Sequence, residues 1–319
     1  MRALARGLIT TLLLIAGLAA AGWLLLRRPD IPYATLEARY GYADSRYMDL
    51  PGGVRAHYRD LGPRDAPALV LVHGFAASTH AWDAWADKLS KTYRVVVLDL
   101  PGHGLTRTSE GYAVGRDGFE TVVDQLTRRL GLERFTLGGN SMGGAVAWAY
   151  AVDHPDRVRR LILVDAAGWP RTDKGGAMVF RVLGNPVGRR VMRDLDIRPL
   201  ITQGLRAAYV DPKLVTPALV DRYVELSRAP GHRDIMMGLQ AGPRREATAS
   251  ALAAIHAPTL VMFGEDDRLI PAADGEKFRQ AIPGATLILY PSVGHVPMEQ
   301  IPDRSRADLE TWLAAHPAS

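Results

Sequence analysis

Six nearly unbroken apolar runs constrain this chain more than any other feature: ALVLVHGF (68–75), RVVVLDL (94–100), RFTLGGN (134–140), RLILVDAA (160–167), TLVMFGEDD (259–267) and ATLILYPSVGH (285–295). Continuous apolar character marks strands covered on both faces, as in a parallel sheet. Amphipathic stretches of helix length lie between or after them, at 81–91, 117–131, 143–154, 272–281 and 303–314. Strand and helix alternate, so the pattern predicts a doubly wound α/β sheet with ligands at the carboxyl ends of its strands. RYMDLPGGVRAHYRD (46–60) adds two short runs around Pro51-Gly52-Gly53, a hairpin signal.

Residues 169–252 break the rhythm, with helical patterns, Pro and Gly breaks and no strong strand run. They read as a helical cap over the strand ends, inserted into a core of residues 45–168 and 253–319. Trp169 to Leu205 holds seven basic and three acidic side chains, while MVFRVLG (178–184) and IMMGL (235–239) offer apolar surface. Two readings stand open: a solvated lid with its own small core, or a surface that meets acidic lipid headgroups and admits an acyl chain.

The N-terminus carries a separate signal. Leu8 to Leu26 is an uncharged run of 19 residues, and at about 1.5 Å rise per residue it covers roughly the 30 Å of a bilayer's hydrocarbon. Arginine pairs flank it and Trp23 lies near one end, as interfacial anchors do. Residues 1–28 therefore read as a membrane anchor. The rivals are a signal peptide cleaved near Ala19–Ala21, although its apolar core would be unusually long, and a helix docked on the soluble domain. The charge balance leans toward a catalytic domain on the non-cytoplasmic side. Residues 29–44, proline- and tyrosine-bearing without a clear period, read as a tether.

Charge excludes one class. The net charge is +5, but Arg2, Arg6, Arg27 and Arg28 supply +4 of it in a stretch without acids. The remainder is nearly neutral, so no nucleic-acid partner is expected. No cysteine is present, which removes disulfides, thiolate catalysis and Cys-ligated zinc. With no H-E-x-x-H or other strong metal spacing, neither metal nor cofactor is expected.

Gly139-Asn140-Ser141-Met142-Gly143 matches G-x-S-x-G between a strand and a helix. Such a bend forces the serine into an unfavourable backbone conformation and needs neighbours without side chains where strand and helix nearly touch. It also sets the Met142 N–H at a helix start, able to hold an oxyanion. The glycine and lysine spacing of a phosphate loop is missing, though a plain packing turn satisfies the same five residues. A serine hydroxyl needs a base, and the base an acid. His295 follows the last strand run, and Asp266 and Asp267 follow the one before, giving the chain order Ser, Asp, His.

VLVHGFAAS, VVVLDLPGHGLT, GGNSMGG, GEDDRLIP and VGHVPMEQIP, in this order over residues 45–316, resemble the α/β-hydrolase superfamily. The resemblance implies a mostly parallel eight-stranded sheet with a helical cap. It also implies Ser141 as nucleophile, His295 as base and Asp267 as acid, with the backbone N–H groups of Phe75 and Met142 as oxyanion hole. Asp266 remains an alternative acid, as does Asp165, because some relatives use the acid after the sixth strand. His73 is expected to organise the oxyanion loop, and Asp99 and His103 to hold a turn. Relatives that hydrolyse haloalkanes or epoxides place an aspartate where Ser141 stands. The expected activity is ester hydrolysis on a small-molecule or lipid ester. A carbon–carbon bond hydrolase of the meta-cleavage type shares the GNSMGG-like elbow, but its members commonly have Trp after the histidine, where this chain has Val296. A catalytically silent, membrane-tethered binding protein is the third reading; oligomeric state stays open.

Overall fold

The structure, a computed structural model, describes residues 2–114, 118–170, 185–241 and 245–317. The apolar runs form strands: β1 (Arg46–Leu50), β2 (Val54–Leu61), β3 (Ala68–Val72), β4 (Arg94–Leu98), β5 (Arg107–Thr108), β6 (Phe135–Asn140), β7 (Val158–Val164), β8 (Thr259–Gly264) and β9 (Thr286–Tyr290). They make one sheet in the order β1-β2-β4-β3-β6-β7-β8-β9, and the short β5 pairs with β2 as a ninth strand that the sequence did not signal. β1 and β2 form the expected antiparallel hairpin, turning on Gly52 and Gly53, both at positive φ. β2 also runs antiparallel to β4, and the strands from β4 through β9 along the sheet are parallel.

Successive side chains point to opposite faces of a strand, so an unbroken apolar run must feed two cores. Val70 and Val72 of β3 join one cluster with Val122, Leu126, Trp148 and Phe278 from the helices Glu120–Arg129, Met142–Asp153 and Ala272–Ala281. Leu69 and Leu71 join the other, with Trp85, Leu89, Leu309 and Trp312 from the helices Asp83–Leu89 and Pro302–Ala315. Strand order reverses at β3, which lies between β4 and β6. The carboxyl ends of β3 and β6 therefore open onto a switch-point crevice, the place such sheets reserve for ligands.

Between β7 and β8 lie the helices Pro186–Arg193, Arg198–Ala208, Pro217–Ser227, His232–Ala241 and Ala249–Leu252. MVFRVLG, at 178–184, lies outside the described residues. Arg2–Leu26 is one helix, and its Arg6–Leu26 portion, with mean hydropathy 2.2 and none of that apolar stretch buried, is long and apolar enough to cross a membrane.

The reading of residues 29–44 as an aperiodic tether needs correction. Tyr33–Tyr40 is a helix whose Leu36 is fully buried against Leu105, Leu226 and Ala229. The preceding turn is fixed to the helices after β7 by backbone bonds from Arg28 N–H to the Asp194 carbonyl (2.6 Å) and from Ile31 N–H to the Arg228 carbonyl (2.8 Å). Tertiary packing on one leucine supports a helix too short to persist alone.

Candidate active site

Ser141 caps the helix Met142–Asp153 with φ 54° and ψ −116°, a left-handed value that a side chain adopts at a cost. The glycines around it are steric necessities. A Cβ on Gly139 would lie 2.1 Å from the Gly143 carbonyl oxygen, one on Gly143 2.1 Å from the Val72 carbonyl oxygen, and one on Gly144 2.5 Å from the Ala166 Cβ. The Ser141 N–H donates to the Val164 carbonyl and its own carbonyl accepts from the Ala167 N–H (3.0 Å each), so the end of β7 and the segment that follows it hold the elbow.

His295 lies in the loop after β9. Its Nδ1 is 2.7 Å from Asp267 Oδ2, and the Asp267 side chain is fully buried. Asp267 Oδ1 accepts from the N–H groups of Leu269 (2.7 Å) and Ile270 (3.1 Å). A carboxylate holding three donors fixes the imidazole tautomer and leaves Nε2 as the basic nitrogen. Asp266 is exposed in the same turn. Two backbone anchors hold the histidine loop: the His295 N–H donates to the Ala208 carbonyl (2.8 Å), and Asn140 Nδ2 donates to the His295 carbonyl (3.0 Å). Asn140 also donates to the Val164 carbonyl at 3.1 Å. It thereby ties elbow, β7 and histidine loop together, a role that no spacing in the sequence announces.

Asp165 is fully buried at the end of β7, with φ 42°. Its Oδ1 accepts from the Gly264 N–H at 2.9 Å. Burial first, and then the neighbouring Asp267 charge, push its carboxyl well above the ordinary range. One ligand atom each of Asp165, Asp267 and His295 lies within 4.8 Å of the others.

Ser141 and His295 border one cavity of about 370 Å³, together with Phe75, Leu200, Ile201, Leu205, Met236, Met237, Leu269 and Val296. IMMGL thus contributes to the wall through its methionines. Met142 is the first helical residue, so its N–H has no intrahelical acceptor. Phase by phase around the β3 loop, His73 Nε2 accepts from the Leu100 N–H (3.1 Å) and its Nδ1 donates to the Gly74 carbonyl (2.7 Å). Burial holds this imidazole neutral by lowering its pKa. Asp99 accepts from the N–H groups of Thr79 (2.7 Å) and Leu105 (2.8 Å) and pairs with His57 Nδ1 (2.7 Å). Burial works to raise the Asp99 carboxyl, but the hydrogen bond and charge of His57 outweigh it and the group stays below the usual carboxylate range. His103 Nδ1 donates to the Pro101 carbonyl at 3.1 Å. These three side chains hold loops together around the site.

This elbow, on this sheet order, agrees with the family comparison: a model of the α/β hydrolase fold matches residues 67–301, and the chain belongs to that family. Among curated relatives, 2-hydroxy-6-oxo-2,4-heptadienoate hydrolase of Pseudomonas putida is 31% identical, over 79% of this chain and 91% of the relative. Lipase 3 of a Moraxella species is 28% identical over 79% of this chain and 78% of that protein. Among solved structures, a bacterial membrane phospholipase A covers 99% of both chains with a TM-score of 0.72 and 25% identity.

Proposed function

We propose that this chain is a membrane-anchored serine hydrolase of carboxylic esters, lipid esters included. Ser141 Oγ attacks the ester carbonyl carbon while His295 Nε2 takes the hydroxyl proton, and Asp267 steadies the imidazolium through Nδ1–H. The Met142 and Phe75 N–H groups hold the oxyanion. His295 then protonates the departing alcohol, and water, activated by the same imidazole, releases the acid and restores Ser141. The observation that carries this reading is an Asp267–His295 pair opening on the same cavity as a serine held at positive φ. The apolar wall of Leu200, Leu205, Met236 and Met237 suits an acyl chain. The exposed apolar helix, together with the likeness to a membrane phospholipase A, supports anchoring; the side assigned to the catalytic domain, the non-cytoplasmic one, rests on the flanking arginines and the α-amine alone.

Carbon–carbon bond hydrolysis is a second reading, favoured by the 31% identity to a 2-hydroxy-6-oxo-2,4-heptadienoate hydrolase. A short nitrophenyl ester and a vinylogous diketone, assayed side by side, separate the two. Ester turnover without diketone cleavage is expected, and the reverse overturns the assignment. Ser141→Ala should lower ester turnover by about 10⁴-fold or more with unchanged thermal unfolding; near-normal turnover contradicts the mechanism.

A further inference from the structure

Two carboxyl groups and one imidazole meet at the candidate triad: one ligand atom each of Asp165, Asp267 and His295 lies within 4.8 Å of the others, and the side chains of both aspartates are buried. Asp267 has three donors: the His295 ring and the N–H groups of Leu269 and Ile270. Asp165 has the Gly264 N–H on Oδ1, while among the described residues no donor reaches its buried Oδ2. Two carboxylates this close in low dielectric do not both stay ionised, and the one with more donors keeps the charge. A protonated Asp165 needs an acceptor for its hydroxyl, and Asp267 is the carboxylate beside it. Its backbone is held in a left-handed conformation that only a constrained site maintains.

We propose that Asp165 is a positioning residue: a neutral carboxylic acid whose hydroxyl donates to Asp267, steadying that carboxylate against His295 without adding a second negative charge. The proposal rests on the triad reading above and deepens it. Burial and the Asp267 charge, which favour the protonated form, agree with it. Among the described residues, the titratable groups that face Asp165 are Asp267 and His295, with the Tyr290 phenol sensing its charge at longer range. No proton moves from Asp165 during turnover; it stays shared within the carboxyl pair.

The test compares Asp165→Asn and Asp165→Ala in the full-length protein. Asparagine keeps a donor for Asp267 and an acceptor for the Gly264 N–H. It should leave kcat/KM within about threefold and the acidic limb of its pH profile within about 0.3 unit. An ionised Asp165 would hold the imidazolium up, so a fall of about one unit or more in that limb overturns the proposal. Alanine removes the donor, and kcat should fall about 10- to 100-fold with KM nearly constant; unchanged kcat in folded Asp165→Ala also overturns it. Infrared spectra of protein labelled with ¹³C-aspartate should show a protonated-carboxyl band at pH 8 that disappears in Asp165→Asn, and absence of that band from the wild type contradicts the assignment. The infrared result needs no turnover. It therefore decides the proton on Asp165 even if Asp165→Ala fails to fold or the wild type proves inactive on esters, which would sink the ester reading alone.

Discussion

Glu299 shows how one buried side chain couples this molecule to pH. It lies four residues beyond His295, in the wall of a second recess of about 480 Å³ that also includes Tyr40, His80, Tyr209 and Arg222. Burial pushes its carboxyl up to about 7, against the opposing charge of Arg222 and a hydrogen bond from Tyr209. A folded-state pKa above the unfolded value of about 4.3 means the fold prefers the protonated form. The associated stability is complete below the unfolded pKa and is lost as pH rises through about 7. Glu299→Gln should therefore remove about 2 kcal/mol of the stability difference between pH 5 and pH 8. Denaturant melts at the two pH values would read this directly, and an unchanged pH dependence would refute it. At the same scale, the choice between Asp266 and Asp267 shows what spacing leaves open. The residues alone do not separate two adjacent acids in one turn, and the preference for Asp267 came from the family resemblance; in the fold the turn buries the Asp267 side chain and exposes Asp266.

Among the elements, the elbow is where packing tolerance is lowest. Gly143 sits under β3 so closely that any Cβ meets the Val72 and His73 carbonyl oxygens, at 2.1 and 2.6 Å. Backbone atoms do not rotate away as a side chain would. Gly143→Ala should destabilise the fold by about 1–3 kcal/mol and lower Ser141 reactivity by moving the helix start. A melting temperature equal to the wild type would show that the strand and helix have room to part. The strands and core helices were legible because a doubly covered sheet writes long apolar runs into a sequence. The helix Tyr33–Tyr40 was not, since YATLEARY has only Leu36 to bury and gains its order from Leu105, Leu226 and Ala229 far along the chain. β5 escaped for a similar reason: two residues, Arg107 and Thr108, carry no period.

At the level of the whole molecule, the apolar N-terminal helix and the catalytic body meet at a short, densely bonded joint. Arg27 and Arg28 pair with Asp194 and Asp196, and Arg233 donates to the Arg28 carbonyl (2.8 Å) and Asp30 (2.6 Å). Arg233 also borders the cavity of Ser141, so the joint and the substrate space share a wall. Deleting residues 2–26 leaves these bonds in place. The shortened protein should remain folded and active on soluble esters while losing sedimentation with vesicles; continued sedimentation would place membrane affinity in the body itself. The sequence revealed the helix through length and composition, but this joint joins residues some 170 to 200 apart in the chain and had no local signature. The place of Asp165 near the triad was signalled only through the resemblance, which offered it as an alternative acid; its proximity to Asp267 follows from β7 and β8 lying side by side.

The central claim is that His295 activates Ser141. A fluorophosphonate should attach once per chain, to the peptide carrying Ser141, and mass spectrometry of the digest would find it there. The same reagent should leave His295→Ala essentially unlabelled over that period. Labelling of Ser141 at an undiminished rate without His295, or no labelling of Ser141 in the wild type, would contradict the account.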